Sequence, residues 1–596
     1  METMVMRLGS IELLLTVGCC CSAMGGIMSV DCRECGGWVV NKKVVGADSS
    51  GVETLTLTLT NAVCAKTPAF IVRVKQRQGD SQVRWHTDAW YPNLRPDWRD
   101  KAQSSFLSGL PVHALATTTD RNRLTVAADD CFGFKTCSCG NDERGLVSAT
   151  WSVPEGAAFG TSAVFRFRAD RRDIRWSDAV REASEWVRGF CTPAVVPEAA
   201  AASVYSTWYA YHTDVDAKRM EREAARAAAL GMKSFFMDAG WYMDAPGEFG
   251  PYAGDWTPSA KRFPDFAAHV ARVKAKGLKY VLWYGMPLAG CRTAAHERFK
   301  GKFLSEHKGL KASILDPRFP ECREYMIATM ERALREWGVD GFKIDFIYSM
   351  GASGTSAKPG DGRDIADARV ALRQLLADMH RRVTAIRPDA LIEFQHGHGN
   401  PAMQTYCNIL RVGDCAGDIT ENRSAIARMR LFSGPLAVHS DMLVWDAGDT
   451  PENAARQVLA TLFGTTQFSV GLAWTPAAHQ KMMAHWIRFM TEHGNALRKG
   501  EFRPSHPEAN YPLIEGVDAT ESVSAVYLQG FPVRIADGKR HFVVNATGDG
   551  ELVVESAREV RAVLFDTFGE RRGEVVLKPG LQKVQMPVCG YLSVAG

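Results

Sequence analysis

Between Val204 and Lys499 the chain alternates strand-like runs with helical patterns, and this alternation constrains the fold more than any other feature. The strand-like runs end at Trp208, Asp238, Trp283, Asp345, His396, Asp414, His439 and Ser469, with helical patterns such as 217–230, 267–276, 323–337 and 365–386 between them. Eight such units in roughly 300 residues predict a (β/α)8 barrel, with a doubly wound sheet as the alternative. The position of the reactive side chains favours the barrel. Asp, Lys, Trp, His and Arg gather at the C-terminal ends of several different strands, the face on which barrels build their sites.

A chain of 596 residues is too long for one hydrophobic core, so further domains are expected around the barrel. The predicted class is α/β: an N-terminal β-sandwich over 28–175, a helix and Pro/Ala-rich linker over 176–203, the barrel over 204–499 and a small C-terminal β-sandwich over 500–596. Strict alternation over Thr54–Thr60 and again over Ala163–Arg168 carries the first sandwich, and runs at 523–527, 541–545 and 574–577 carry the second. Trp85, Trp90 and Trp98 read as core aromatics, with sugar platforms as the weaker alternative.

The N-terminus predicts export. Leu13–Val17 is an apolar run after Arg7, followed by Gly18, three cysteines, Ser22 and Ala23, the form of a signal peptide over 1–25, and Gly18-Cys19 leaves a lipid anchor open. The expected location is therefore periplasmic or extracellular. No later run reaches about 18 uninterrupted apolar residues, so no membrane span is expected. A net charge of +4 without basic blocks among aromatics excludes a nucleic-acid track and predicts a neutral partner. Among 15 cysteines, Cys32 and Cys35 form one C-x-x-C, and Cys131, Cys137 and Cys139 cluster, but no second pair stands at zinc spacing. They read as buried or loop thiols with one or two disulfides, and no metal is expected.

Trp337–Phe346 carries the densest chemistry. Lys343 and Asp345 are two residues apart on a strand, so ammonium and carboxylate point the same way and meet a ligand together. Beside Lys343, Asp345 is expected to have a low pKa and to be ionised, hence nucleophilic. A second carboxyl comes from Arg411-Val-Gly-Asp414 or from Asp418. Asp418 opens a D-x-x-E capping box and is more simply a helix N-cap, which leaves Asp414 as the acid, expected to be partly desolvated with a raised pKa. Asp238, Trp241, Asp255, Trp256, Trp283 and Arg411 suit a sugar, since carboxylates and Arg fork onto hydroxyls and Trp faces pack on a pyranose. His396, His398 and His439 read as loop or core histidines rather than metal ligands.

Together, Asp238-Ala-Gly-Trp241, Gly254-Asp-Trp256, Leu282-Trp283, Leu315-Asp316 before Arg323-Glu-Tyr325, Lys343-Ile-Asp345 and Arg411-Val-Gly-Asp414 resemble, in order and spacing, the α-galactosidases of glycoside hydrolase family 36. The resemblance covers roughly residues 200 to 470. It implies an exo-acting, retaining hydrolase of terminal α-galactose, with Asp345 as nucleophile and Asp414 as acid/base. The two carboxyls should then stand about 5 to 5.5 Å apart. It further implies Lys343, Arg411, Asp238 and Trp283 as sugar ligands; Trp241, Trp256 and Gln395 are further candidates for substrate binding, and no cofactor is expected because proton transfer and a carboxylate nucleophile suffice. A homo-oligomer is left open. Three departures matter. Ala239 stands where the family usually has a second acid; the fifth-strand text Glu393-Phe-Gln-His-Gly-His-Gly-Asn400 replaces a Cys-bearing Gly-rich loop; and the N-terminal β domain is short for the family. The changed fifth-strand loop makes an α-N-acetylgalactosaminidase an alternative, as is a raffinose-synthase-like transglycosylase. A non-catalytic carbohydrate-binding protein is disfavoured because both carboxylates are present.

Overall fold

Eight parallel strands close into a barrel: β1 (Val204–Ser206), β2 (Ser234–Met237), β3 (Lys279–Gly285), β4 (Gly341–Asp345), β5 (Leu391–Gln395), β6 (Ile409–Arg411), β7 (Ala437–Leu443) and β8 (Thr465–Phe468). The last strand returns to the first, pairing Gln467 with Val204 and Phe468 with Tyr205. The coordinates are a computed structural model that describes residues 27–596 apart from 33–34, 47–49, 88–99, 108, 130–134, 142–143, 352–359 and 396–399. The expected signal peptide and the readings of Trp90, Trp98, Cys131, His396 and His398 lie outside the described residues.

Parallel barrel strands are covered on both faces, which is why they appear in the sequence as short apolar runs without alternation. Gly341 opens β4 where a Cβ would lie 2.0 Å from the Leu391 carbonyl, so only glycine lets β4 and β5 approach this closely. The intervening helices begin where the backbone donors find a cap. Ala217–Ala229 follows Asp216, whose side chain accepts from Arg219 N. The helix expected from 365 starts later, at Ala368, because Asp367 accepts from Arg369 N and Val370 N. The one expected from 323 starts earlier, at Pro320, whose missing N–H costs nothing in a first turn. Between β3 and β4 the chain adds an antiparallel sheet of Leu288–Gly290, Ala312–Leu315 and Phe303–His307 that periodicity did not predict.

The chain forms two compact units. The first comprises residues up to Thr192 with 399–403 and His506–Ala509, and is built on a five-stranded and a six-stranded sheet. Its strand Val52–Lys66 buries Leu55, Leu57 and Leu59 and turns the intervening threonines outward, as the alternation predicted. Phe70, Val72, Val74 and Trp151 complete the core from the other sheet. Trp85 is buried against Trp176, a core aromatic. The second unit holds the barrel and the C-terminal β region, where sheets of seven and three strands enclose Val526, Val543, Leu552, Val554 and Leu592. Cys64, Cys139, Cys291, Cys322, Cys415 and Cys589 carry free thiols, and the Cys32 and Cys35 sulfurs are 3.0 Å apart. Among the described residues no helix is long and apolar enough to cross a membrane.

Candidate active site

Along β4, Phe342 and Ile344 alternate with Lys343 and Asp345, so the two charged side chains share one face and point into the barrel. The Lys343 ammonium donates to Asp238 Oδ2 at 2.6 Å, and both side chains are almost free of solvent. Asp238 sits one residue past β2, fixed by Thr207 Oγ1, which accepts from its N–H at 3.0 Å, and by the Ala239 N–H, which donates to its Oδ1 at 2.9 Å. The following turn needs glycine: Gly240 has φ +114°, and a Cβ there would lie 2.7 Å from Thr213 Cα.

Asp345 therefore lacks the close ammonium partner expected for it. Its oxygens accept from Phe346 N–H at 2.7 Å and, at 3.4 Å, from the indole N–H of Trp283. Burial pushes the Asp345 carboxyl up to about 6, although the Lys343 charge, the Phe346 N–H and Arg411 all pull it down. The expected low pKa is thus overturned in direction, because desolvation outweighs attraction to Lys343; the group remains mostly ionised at neutral pH. Phe346 follows in the left-handed region at φ +62°, a strained setting for a bulky residue and one that persists where surroundings over-determine the backbone.

Arg411, the last residue of β6, is fully buried and bridges two carboxylates, donating to Asp441 and, at 2.5 Å, to Asp414. Asp441 also accepts from Tyr209 OH at 2.9 Å and from Cys415 N–H at 2.7 Å. Sequence reading missed Asp441 because it ended the seventh strand at His439, whereas β7 runs on to Leu443. A carboxylate two residues beyond His439 in an apolar run was the available signal. Asp414 also receives Gln395 Nε2 at 3.1 Å. Its side chain is 57% exposed, not partly desolvated as expected, since it stands on the loop beyond β6. After burial, the charges of Asp345 and Asp414 both push the Tyr348 hydroxyl up. Asp418 caps the helix Ile419–Arg430, accepting from Thr420 and Glu421 N–H at 2.9 Å each, as its capping box predicted.

The aromatics divide differently from the sequence expectation. Trp241 and Trp256 are buried and have no face for a ligand; Trp241 packs on Trp256, Phe266, Tyr284 and Trp337. Tryptophans at strand ends combine large area with an N–H that needs one acceptor, and Trp241 finds it in the Trp283 carbonyl at 3.2 Å, so packing decides its place. Trp283 is the exception, because its indole edge reaches Asp345. Asp255, also read as a sugar ligand, accepts from Ala294 N–H and Ala295 N–H and holds the short helix Ala294–Arg298. Trp241→Ala is expected to destabilise the chain by about 3–5 kcal/mol in chemical denaturation through its cavity. An unchanged denaturation midpoint would remove Trp241 from the core.

Deeper in the barrel, Glu393 Oε2 meets His439 Nδ1 at 2.7 Å and accepts from Gln467 Nε2 at 2.7 Å, while His439 Nε2 lies 2.7 Å from the Ala200 carbonyl. His439 is thus a core histidine. Burial pushes the Glu393 carboxyl up, but the His439 hydrogen bond with the Lys343 and Arg411 charges brings it below its ordinary value.

The sequence pattern of the Melibiase family matches residues 185–500. A curated relative, probable alpha-galactosidase G of Emericella nidulans, is 27% identical over 157 residues, 24% of this chain and 21% of that protein. The A type blood alpha-D-galactosamine galactosaminidase of Flavonifractor plautii is 25% identical over 140 residues, 20% of this chain and 12% of that protein. The matched segments thus span a small part of either relative. Among solved structures, the family 36 α-galactosidase AgaA of Geobacillus stearothermophilus superposes with a TM-score of 0.63 at 14% identity, covering 95% of this chain and 83% of that one. That likeness establishes the shared fold.

Proposed function

The chain belongs to the Melibiase family, and on that premise we propose that it is a retaining, exo-acting glycoside hydrolase that releases terminal α-galactose. One observation supports the proposal: a buried carboxylate from β4 and an exposed one beyond β6, held by Arg411, both act electrostatically on the Tyr348 hydroxyl. Asp345 attacks the anomeric carbon while Asp414 gives its proton to the departing glycosidic oxygen, forming a glycosyl ester. Asp414 then takes a proton from water, which attacks the same carbon and frees Asp345. Two inversions give net retention. Lys343 and Asp238 form one polar wall and Arg411 fixes Asp414 in place.

The test is the anomer released first, read by proton NMR during hydrolysis of p-nitrophenyl α-galactoside. The α-anomer is expected; initial β-anomer would sink the retaining mechanism. Asp414→Ala should leave p-nitrophenyl glycosides, whose leaving group needs little protonation, far less impaired than an alkyl or sugar galactoside, by a differential of about 10²-fold or more. Equal impairment on both substrates would take the acid role from Asp414. The acidic limb of kcat/KM should fall near pH 6, because the nucleophile must be ionised and its carboxyl is raised to about that value. A limb near pH 4 would mean that burial does not govern Asp345.

A second reading has a specific observation behind it, the similarity to the Flavonifractor plautii galactosaminidase. Under it the same carboxylates act on a sugar bearing nitrogen at C2, and p-nitrophenyl α-N-acetylgalactosaminide is cleaved in preference to the galactoside.

A further inference from the structure

Two cysteines that no sequence spacing paired with a third ligand meet one in the N-terminal unit. Cys137 and Cys139 lie two apart on the strand Lys135–Asn141, so both point to the same buried side, opposite Trp151 and Ala149 of the next strand. His113 stands on the strand Val112–Ala116, which belongs to the other sheet of that unit, and is likewise buried. The Cys139 sulfur is 3.7 Å from His113 Nδ1, and one ligand atom from each of the three residues falls within 4.8 Å of the others. His86 stacks on the His113 ring, with centroids 4.9 Å apart.

We infer that His113, Cys137 and Cys139 bind a zinc ion that staples the two sheets of the N-terminal unit together. The dimensions suit it: zinc–sulfur and zinc–nitrogen bonds at tetrahedral angles put sulfur and nitrogen about 3.6 Å apart. The charge balance also closes. Zn²⁺ displaces one proton from each thiol, both released to solvent, and two thiolates with one neutral imidazole leave the buried site without net charge. Two soft thiolates and imidazole select zinc or a similar ion over magnesium or calcium. The sequence concealed the site because its ligands come from two sheets rather than from one finger-like loop.

The test uses the full chain, purified under reducing conditions with zinc present and then desalted, with metal measured by mass spectrometry. About one zinc per chain is expected, and cobalt exchanged into the protein should show thiolate-to-metal charge-transfer absorption. Chelation should lower the melting temperature and zinc should restore it. Cys139→Ser should reduce bound zinc at least about tenfold, whereas Cys32→Ser, outside the cluster, should keep it. If Cys139→Ser fails to fold, the stoichiometry of the unaltered chain and His113→Gln decide the matter. A metal-free chain without a cobalt band would overturn the inference, as would a Cys137–Cys139 disulfide in the non-reduced protein.

Discussion

Asp345→Asn is expected to abolish hydrolysis, lowering kcat by at least about 10⁴-fold, and at the same time to make the protein more stable at pH 7.5. The two effects have one origin. In the unfolded chain the carboxyl titrates near its ordinary 3.8, and in the folded chain near 6. Between those values the folded state holds more protons, so the stability contributed by this group is present at low pH and lost as pH rises through about 6. Above that, keeping a desolvated carboxylate costs about 3 kcal/mol, from a rise of about 2 pKa units, which a neutral amide of the same shape avoids. The Phe346 N–H can still donate to the amide oxygen. Activity assays and urea denaturation at pH 7.5 and pH 4.5 check both halves: the stability gain should shrink at the lower pH, where the native carboxyl is itself protonated. A fully active variant would remove Asp345 as nucleophile. An inactive variant no more stable than the parent at pH 7.5 would mean that the site places no desolvation strain on this group.

Asp441→Asn should cause the largest loss of stability at the site. Arg411 and Asp441 are both fully buried, and removing one partner leaves a charge in the interior with the exposed Asp414 as its remaining salt-bridge partner among the described residues. Breaking such a pair costs about 3–5 kcal/mol, far more than the pair itself contributes relative to an apolar replacement. Tyr209→Phe removes only one hydrogen bond to the same carboxylate, from the Tyr209 hydroxyl, and should cost about 1 kcal/mol. Denaturation midpoints of the two variants, and of Arg411→Met with and without Asp441→Asn, measure the coupling. The Asp441→Asn protein should also lose activity, since Arg411 would no longer hold Asp414. Stability indistinguishable from that of Tyr209→Phe would show that the buried pair has no such role.

The placement of several candidate-site side chains was legible because strand ends are local features. The paired positions of Lys343 and Asp345 follow from a two-residue period, and the role of Asp418 follows from a capping box, so neither needed a tertiary contact. The fold class came from the same source, because alternating runs of apolar strand and amphipathic helix leave few architectures that bury both faces of a parallel sheet. Where the reading failed, the missing quantity was a distance or a burial. Trp241 and Trp256 could not be separated from Trp283 by composition, since all three follow strand-like runs and only packing decides which indole edge reaches Asp345.

What the sequence determined by itself is the order of elements, the faces their side chains take and the inventory of carboxylates available for chemistry. These are fixed by periodicity and capping over a few residues. The tertiary structure alone decided which opposite charges pair. Lys343 went to Asp238 across the barrel instead of to its neighbour Asp345, Arg411 found Asp441 on an unexpectedly long β7, and His113 met two cysteines from another sheet. Electrostatic energies depend on separation and desolvation, both set by chain closure between residues far apart in sequence, and so the direction of the Asp345 shift could be known only once the barrel was closed.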